Sequence, residues 1–182
     1  MDRYVAFLRG MNLGKRRIKN GELRRHFEEM EFEEVATFRA SGNVIFVNPR
    51  KEAESKLAAR VEAELDERLG YDVPVFLRGI EEVAAIAAHR PFPAKATAKS
   101  KGKLQISLLT KKPTAAQRKK ILAFASDDDL LAVEGREIYW LPSGGLLESD
   151  LDLKAIEAIV GADTRRTMGT IEQIAAKYGE PG

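Results

Sequence analysis

The chain has no cysteine among its 182 residues, which excludes disulfides, thiolate zinc sites and a cysteine nucleophile. Histidine is nearly missing as well: there are 2, His26 and His89. The first falls inside a helical pattern and the second near a helix end, where the dipole favours its charge. Neither has a Ser/His/Asp context, and an imidazole metal cluster lacks ligands. No apolar run approaches the roughly 20 residues that span a bilayer. The start, MDRYVAFLRG, contains an acid, has too short an apolar stretch and lacks a small-residue cleavage site, so it does not read as a secretory signal. A cytoplasmic protein without membrane contact is the expectation.

What the chain does have is an ordinary globular balance, 44% hydrophobic and 32% charged, long enough for one good core or two small ones. The net charge of +2 conceals blocks of one sign. Residues 1–25 carry eight Lys/Arg against two acids, and His89 to Lys120 carry ten Lys/Arg and no acid. Asp127 to Asp163 reverse this, with ten acids against two basic residues. Mixed surfaces usually intersperse the signs, so such blocks create fields that draw an anion to one region; solvated loop and helix faces are the competing reading of the same charges.

Apolar patterning predicts a strand at Arg3–Leu8 and a helix capped by Asn20 with a stripe of Leu23, Phe27 and Met30. Val35–Ala40 and Val44–Val47 flank Ser41-Gly42-Asn43, which reads as a hairpin with Gly42 in the left-handed region. A helix is then expected from Asn48–Pro49, lined by Leu57, Val61, Leu65 and Leu69 and stopped at Gly70, before a strand at Val73–Leu77. The order β-α-β-β-α-β is the split arrangement of ferredoxin-like folds.

The second half repeats the theme after a short helix at Glu81–Ala88 and a basic linker, RPFPAKATAKSKGK. Its strands are expected at Leu104–Leu109, Leu130–Val133 and Ile138–Leu141, with a Thr114/Gln117 capping box opening the helix between the first two. Two further helices are expected near Asp150–Val160 and Thr170–Tyr178. SGNVIFV and EGREIYWL occupy matching places, each a turn glycine before an Ile-aromatic strand. The fold expectation is therefore α+β, with duplicated ferredoxin-like (βαββα) halves at residues 1–79 and 80–182 and extra C-terminal helices. Because the strands are apolar on both faces, the two halves are expected to pack through their sheets as one compact unit, with Phe7, Phe46, Ile106 and Trp140 buried. The segment Lys95–Lys103 has no apolar anchor and is expected as a mobile loop, able to meet nucleic acid only through phosphates.

YVAFLRGMNLG, VATFRASGNVIF, HRPF, GREIYWLPSG and TRRTMGT resemble successive blocks of a bacterial family of domains of unknown function, number sixteen ninety-seven. The resemblance runs nearly end to end and implies a duplicated ferredoxin-like α+β protein with no established activity, substrate or partner. Relatives read Arg-Asn-Trp-Asn-Thr where this chain has Arg166, Thr167, Met168, Gly169 and Thr170, and tend to show Tyr and Gln in place of Phe38 and Ala40.

LRGMNLGKRRIKNGEL, residues 8–23, has the outline of a phosphate loop, but three residues separate Gly10 from Gly14 and Arg16 follows Lys15. A P-loop needs four residues there and a hydroxyl after the lysine, so the stretch is not one. It still combines cations with glycines that let backbone approach an anion. Arg9, Asn12, Lys15, Arg39, Ser41, Asn43 and Arg166 are the candidate ligand-binding residues, since Arg forks onto phosphate or carboxylate and Asn and Ser add neutral donors. Turn chemistry and loop bracing are the competing roles for Ser41, Asn43, Arg9 and Asn12. The acid clusters SDDD (126–129) and ESDLD (148–152) have carboxylates that suit magnesium, though loop charge and helix-dipole acids account for the same pattern.

Two function classes fit these residues. One is a binding protein for an anionic ligand, a nucleotide or nucleic acid, through the basic loop. The other is an enzyme acting on a small phosphorylated or carboxylated substrate held there. SGNVIFVN matches the strand signature of common single-strand RNA readers only at Gly42. An interaction module with opposed acidic and basic faces is a third arrangement of the same charges.

Overall fold

A computed structural model describes residues 2–11, 17–40 and 42–179. The chain forms a mixed α+β protein with two four-stranded antiparallel sheets and, among the described residues, seven α-helices. It divides into two units, Met1–Ala85 with Ile174–Gly182, and Ile86–Gln173. No described helix is long and apolar enough to cross a membrane.

In the first unit β1 (Asp2–Leu8), α1 (Asn20–Glu29), β2 (Glu33–Thr37), β3 (Asn43–Asn48), α2 (Glu54–Leu69) and β4 (Val75–Gly79) follow one another. The sheet order is β2-β3-β1-β4. Strand geometry sends alternate side chains to opposite faces. On one face Ala6, Leu8, Val44, Phe46, Val75 and Leu77 join a core with Leu23 and Phe27 of α1 and Leu57, Val61 and Leu65 of α2. On the other, Val5, Phe7, Ile45 and Phe76 are also buried, as expected from strands apolar on both sides. Phe27, Phe32 and Phe46 form an aromatic knot, the closest pair, Phe32 and Phe46, having centroids 4.3 Å apart.

Helix limits follow local chemistry. Gly70, at φ +78°, ends α2 and donates its N–H to Asp66; only glycine enters that region without cost. The start of α2 is later than the sequence suggests. Asn48 is the last residue of β3, its Oδ1 accepting the Arg50 N–H and its Nδ2 donating to Glu52. This Asx-type turn holds the chain out of helix until Ala53 serves as cap.

The second unit has the same sequence of elements. β5 (Gln105–Leu109), α5 (Ala115–Leu122), β6 (Asp129–Glu134), β7 (Glu137–Pro142), α6 (Leu153–Val160) and β8 (Asp163–Thr167) build a sheet of order β6-β7-β5-β8. The Thr114/Gln117 capping box forms in full. Ile106 and Trp140 are buried, as are Phe7 and Phe46 in the first unit. α3 (Ile80–Ala88) and α7 (Met168–Tyr178) carry the chain across the unit boundary.

Two expectations need correction here. β8, reading Asp-Thr-Arg-Arg-Thr, is a strand that apolar patterning does not show, because as an edge strand beside β5 it draws its order from the ladder rather than from side chains. The lysine-rich segment is not a bare loop: α4 (Ala94–Lys99) forms where three alanines favour helix. Its exit is tied to the end of β7, with Lys101 N–H donating to Ser143, and the Ser100 hydroxyl to Pro142. A Cβ at Gly102 would lie 2.4 Å from the Gly144 carbonyl, so the two backbones meet in close contact.

Phe46→Ala empties the centre of the first core, and a loss of about 3–5 kcal/mol in urea unfolding is expected. Glu52 tests a polar brace of the same unit. The Arg60 guanidinium, then the Asn48 amide, hold its carboxyl below the usual glutamate range despite partial burial. A lowered carboxyl pKa contributes stability above the unfolded-state value and loses it as pH falls through the folded-state value. The stability advantage of the native chain over Glu52→Gln should therefore be complete at neutral pH and shrink as pH drops through the acidic carboxylate range in denaturation at a series of pH values.

Candidate functional site

Backbone pairing determines which candidate residues meet. β1 lies between β3 and β4, and at its C-terminal end Leu8 N–H donates to the Gly42 carbonyl at 2.8 Å while Arg9 N–H donates to Pro74 at 3.0 Å. The segment leaving β1 is thereby set beside the β2–β3 turn. Gly10, at φ +74°, reverses the chain, and Met11 is buried under the turn, 2.9 Å from where a Cβ on Gly42 would stand. Asn12 and Lys15 lie outside the described residues, as does Ser41.

The turn itself is braced from three directions. Phe38 N–H donates to the Asn43 carbonyl at 3.0 Å and the Asn43 side-chain amide donates back to the Phe38 carbonyl at 2.8 Å. Asn20, the first residue of α1, donates its amide to the Arg39 carbonyl at 3.1 Å. Within this frame Arg39 takes φ +57°, a left-handed conformation that a long side chain rarely adopts. Two other described non-glycine residues do so for local reasons: Glu31 follows the end of α1, and Glu34 sits at the register shift in β2. The Arg39 guanidinium lies over the Phe38 ring, 5.5 Å from its centroid.

The sequence-predicted residues thus take different places. Arg9, half-buried, and Arg39, exposed, stand on neighbouring segments at one end of the first sheet. Asn43 is fully buried and shapes the turn rather than facing outward. Arg166 belongs to the second unit, on β8, where its guanidinium donates to Thr164 Oγ1 and to the Arg165 carbonyl, each at 2.9 Å. Burial pushes its pKa down to about 10, so it remains cationic at neutral pH.

Asn20 and Phe38 contact the candidate residues of the turn, a placement that pattern reading misses. Asn20 is expected as the α1 cap, but Lys19 holds that position and has no side-chain acceptor, which leaves the Asn20 amide to reach the turn. The exposed cations Arg17 and Lys19 precede the same helix. Together they make an electropositive edge, since the N-terminal end of a helix adds its own positive field.

A family model described as Protein of unknown function (DUF1697) matches residues 1–139. No curated protein matches the chain. Among solved structures, the conserved bacterial protein SP0830 from Streptococcus pneumoniae is similar over 99% of each chain, with a TM-score of 0.77 at 18% identity. That likeness concerns the fold.

The contact at Gly42 is testable. At φ +79°, with Met11 Cγ at 2.9 Å and Leu8 Cβ at 3.1 Å from a Cβ, Gly42→Ala combines strain with overlap; a destabilisation of about 1–3 kcal/mol is expected in thermal or urea unfolding. Gly21→Ala, at a position with nothing within 4 Å, serves as the control and should leave stability unchanged or raise it by up to ~1 kcal/mol.

Proposed function

The chain belongs to the family of proteins of unknown function DUF1697, and from its own residues we propose that it binds a phosphate-bearing anion, a nucleotide or nucleic acid, at the edge where β1 meets the β2–β3 turn. Arg9 and Arg39 are the charged ligands of this reading and Asn43 is a positioning residue; Asn12, Lys15 and Ser41, candidates by residue type alone, lie outside the described residues. Arg166 lies on β8 of the second unit, bonded to Thr164 and to the Arg165 carbonyl. The observation that carries the reading is the left-handed Arg39, held by Asn20 and Asn43 in a conformation that disfavours its own side chain. Backbone strain of this kind persists where surrounding bonds enforce it, and it concentrates at ligand sites.

Within the same proposal, each unit is read as a ferredoxin-like half of a duplicated chain. Two parallels support this. The sheet orders are β2-β3-β1-β4 and β6-β7-β5-β8, and the end of the central strand is pinned in the same way in both. Leu8 N–H donates to Gly42, just before β3, and Leu109 N–H donates to Arg136, just before β7. On this reading the anion site is a specialisation of the first half, where the turn carries Arg39 and the loop after the strand is basic.

The test is a fluorescence-polarisation titration with a labelled single-stranded oligonucleotide, in competition with ATP and with inorganic pyrophosphate, across a sodium chloride series. Binding should weaken as salt rises, because phosphate contacts release counterions. Arg39→Gly relieves the backbone strain, so the fold is retained, while removal of one charge-assisted contact weakens affinity about tenfold. Affinity that is flat across salt, or equal in Arg39→Gly, contradicts the proposal. Competition by ATP and pyrophosphate as strong as that by unlabelled oligonucleotide identifies a small-anion site.

A further inference from the structure

Exposed apolar surface gathers at one place in the second unit. Among the described residues the exposed large hydrophobics are Leu146, Leu147 and Leu153, and Leu147 stands fully in water. A single exposed leucine is ordinary, whereas a cluster on one projection marks an interaction surface. The projection is built by specific bonds. A single 3-10 turn, Leu146–Glu148, carries the first two leucines. Ser149, which follows it, donates its hydroxyl to the buried Asp129 carboxylate at 2.7 Å, and the Trp140 indole N–H holds the same carboxylate at 2.8 Å. Leu147 is thus held out in water by the structure on either side of it.

The backbone beside this tip sorts charge by sign. Ser143, in the turn after β7, accepts the Lys101 N–H on its carbonyl at 2.9 Å and donates its own N–H to the Asp128 carbonyl at 2.8 Å. Three segments therefore lie side by side, 99–103, 142–145 and 126–129, and the close Gly102–Gly144 approach locks the first against the second. The first segment exposes Lys99, Lys101 and Lys103, and the third exposes Asp127 and Asp128. Among the described residues none of these lysines and aspartates forms an ion pair within the chain. Opposite charges are held on two flanks of one turn without meeting each other.

Such a face is complementary to itself. A twofold axis through the Pro142–Gly145 turn exchanges its flanks, so the lysine segment of one copy comes over the aspartates of another, and the reverse. Every facing pair is then of opposite sign, while a parallel placement sets like charges together and is disfavoured. Leu146 and Leu147 follow the turn directly and so stand close to that axis, where each tip shields the other's apolar surface from water.

We propose that this face associates with a second copy of the chain, in a twofold dimer with Leu147 near its centre and reciprocal Lys101–Asp128 contacts on either side. One helical turn and two short segments make a contact at the low end of interface sizes, under about 1,200 Å². The association is therefore reversible and depends on concentration. It uses residues of the second unit alone and stands independently of the anion reading.

The experiment is analytical ultracentrifugation of the full chain over a protein concentration series, at low and at high sodium chloride. The weight-average mass should rise from that of one chain toward that of two, and salt should move the rise to higher concentration because exposed ion pairs are screened. Leu147→Asp should weaken the association about tenfold or more. Lys101→Glu and Asp128→Lys, both at exposed positions, should each weaken it as well. An equimolar mixture of those two variants should associate more tightly than either alone, since each facing pair is again of opposite sign. A monomer at every concentration, which leaves the leucine tip to a partner of another sequence, overturns the proposal. So does association that Leu147→Asp leaves intact, or a mixture no tighter than the single variants.

Discussion

The double pairing of β1 is the constraint from which the first unit takes its form. A strand bonded on both edges has its end position set twice, by Leu8 N–H on Gly42 and by Arg9 N–H on Pro74. The segment that leaves it has one way out, beside the β2–β3 turn. Gly42 permits this approach because it has no Cβ and takes a positive φ. The core face of the same strands then fixes α1, through Leu23 and Phe27 against Phe46, and with it Asn20. Packing thus brings three segments distant in sequence to one edge.

Electrostatics acts on that frame without creating it. Surface charges alone contribute little to stability. Their placement is what gives them meaning. Arg39 is raised on a braced turn, with Phe38 beneath its guanidinium, whereas Arg166 on β8 is buried and bonded to Thr164. The two arginines therefore differ in surroundings, one on an exposed turn and the other within a strand. The acidic half shows the same rule, since Asp129 is buried and bonded to Trp140 and Ser149 while Asp127 and Asp128 beside it are exposed.

Much of the fold was legible in the residues. Gly70, the Thr114/Gln117 box and the Gly42 hairpin each declare a local geometry that no tertiary contact reverses. β8 was not legible, because two arginines and two threonines hold no apolar alternation and its order comes from pairing with β5. α4 was hidden by its lysines, although the alanines between them are strong helix formers. For the candidate site, the residue types were visible but their parts were not. Nothing in an arginine announces a left-handed backbone, and Asn43 gives no sign in sequence that its amide closes the turn from inside.

The most direct measurement is an amide chemical-shift titration of the isotope-labelled chain with inorganic pyrophosphate. The account predicts fast-exchange or saturable shifts concentrated at Arg9–Met11, at Phe38–Asn43 and in the first turn of α1, with the second unit unaffected. Shifts centred instead on the lysines of residues 95–103, or none beyond those given by matched chloride, would contradict it.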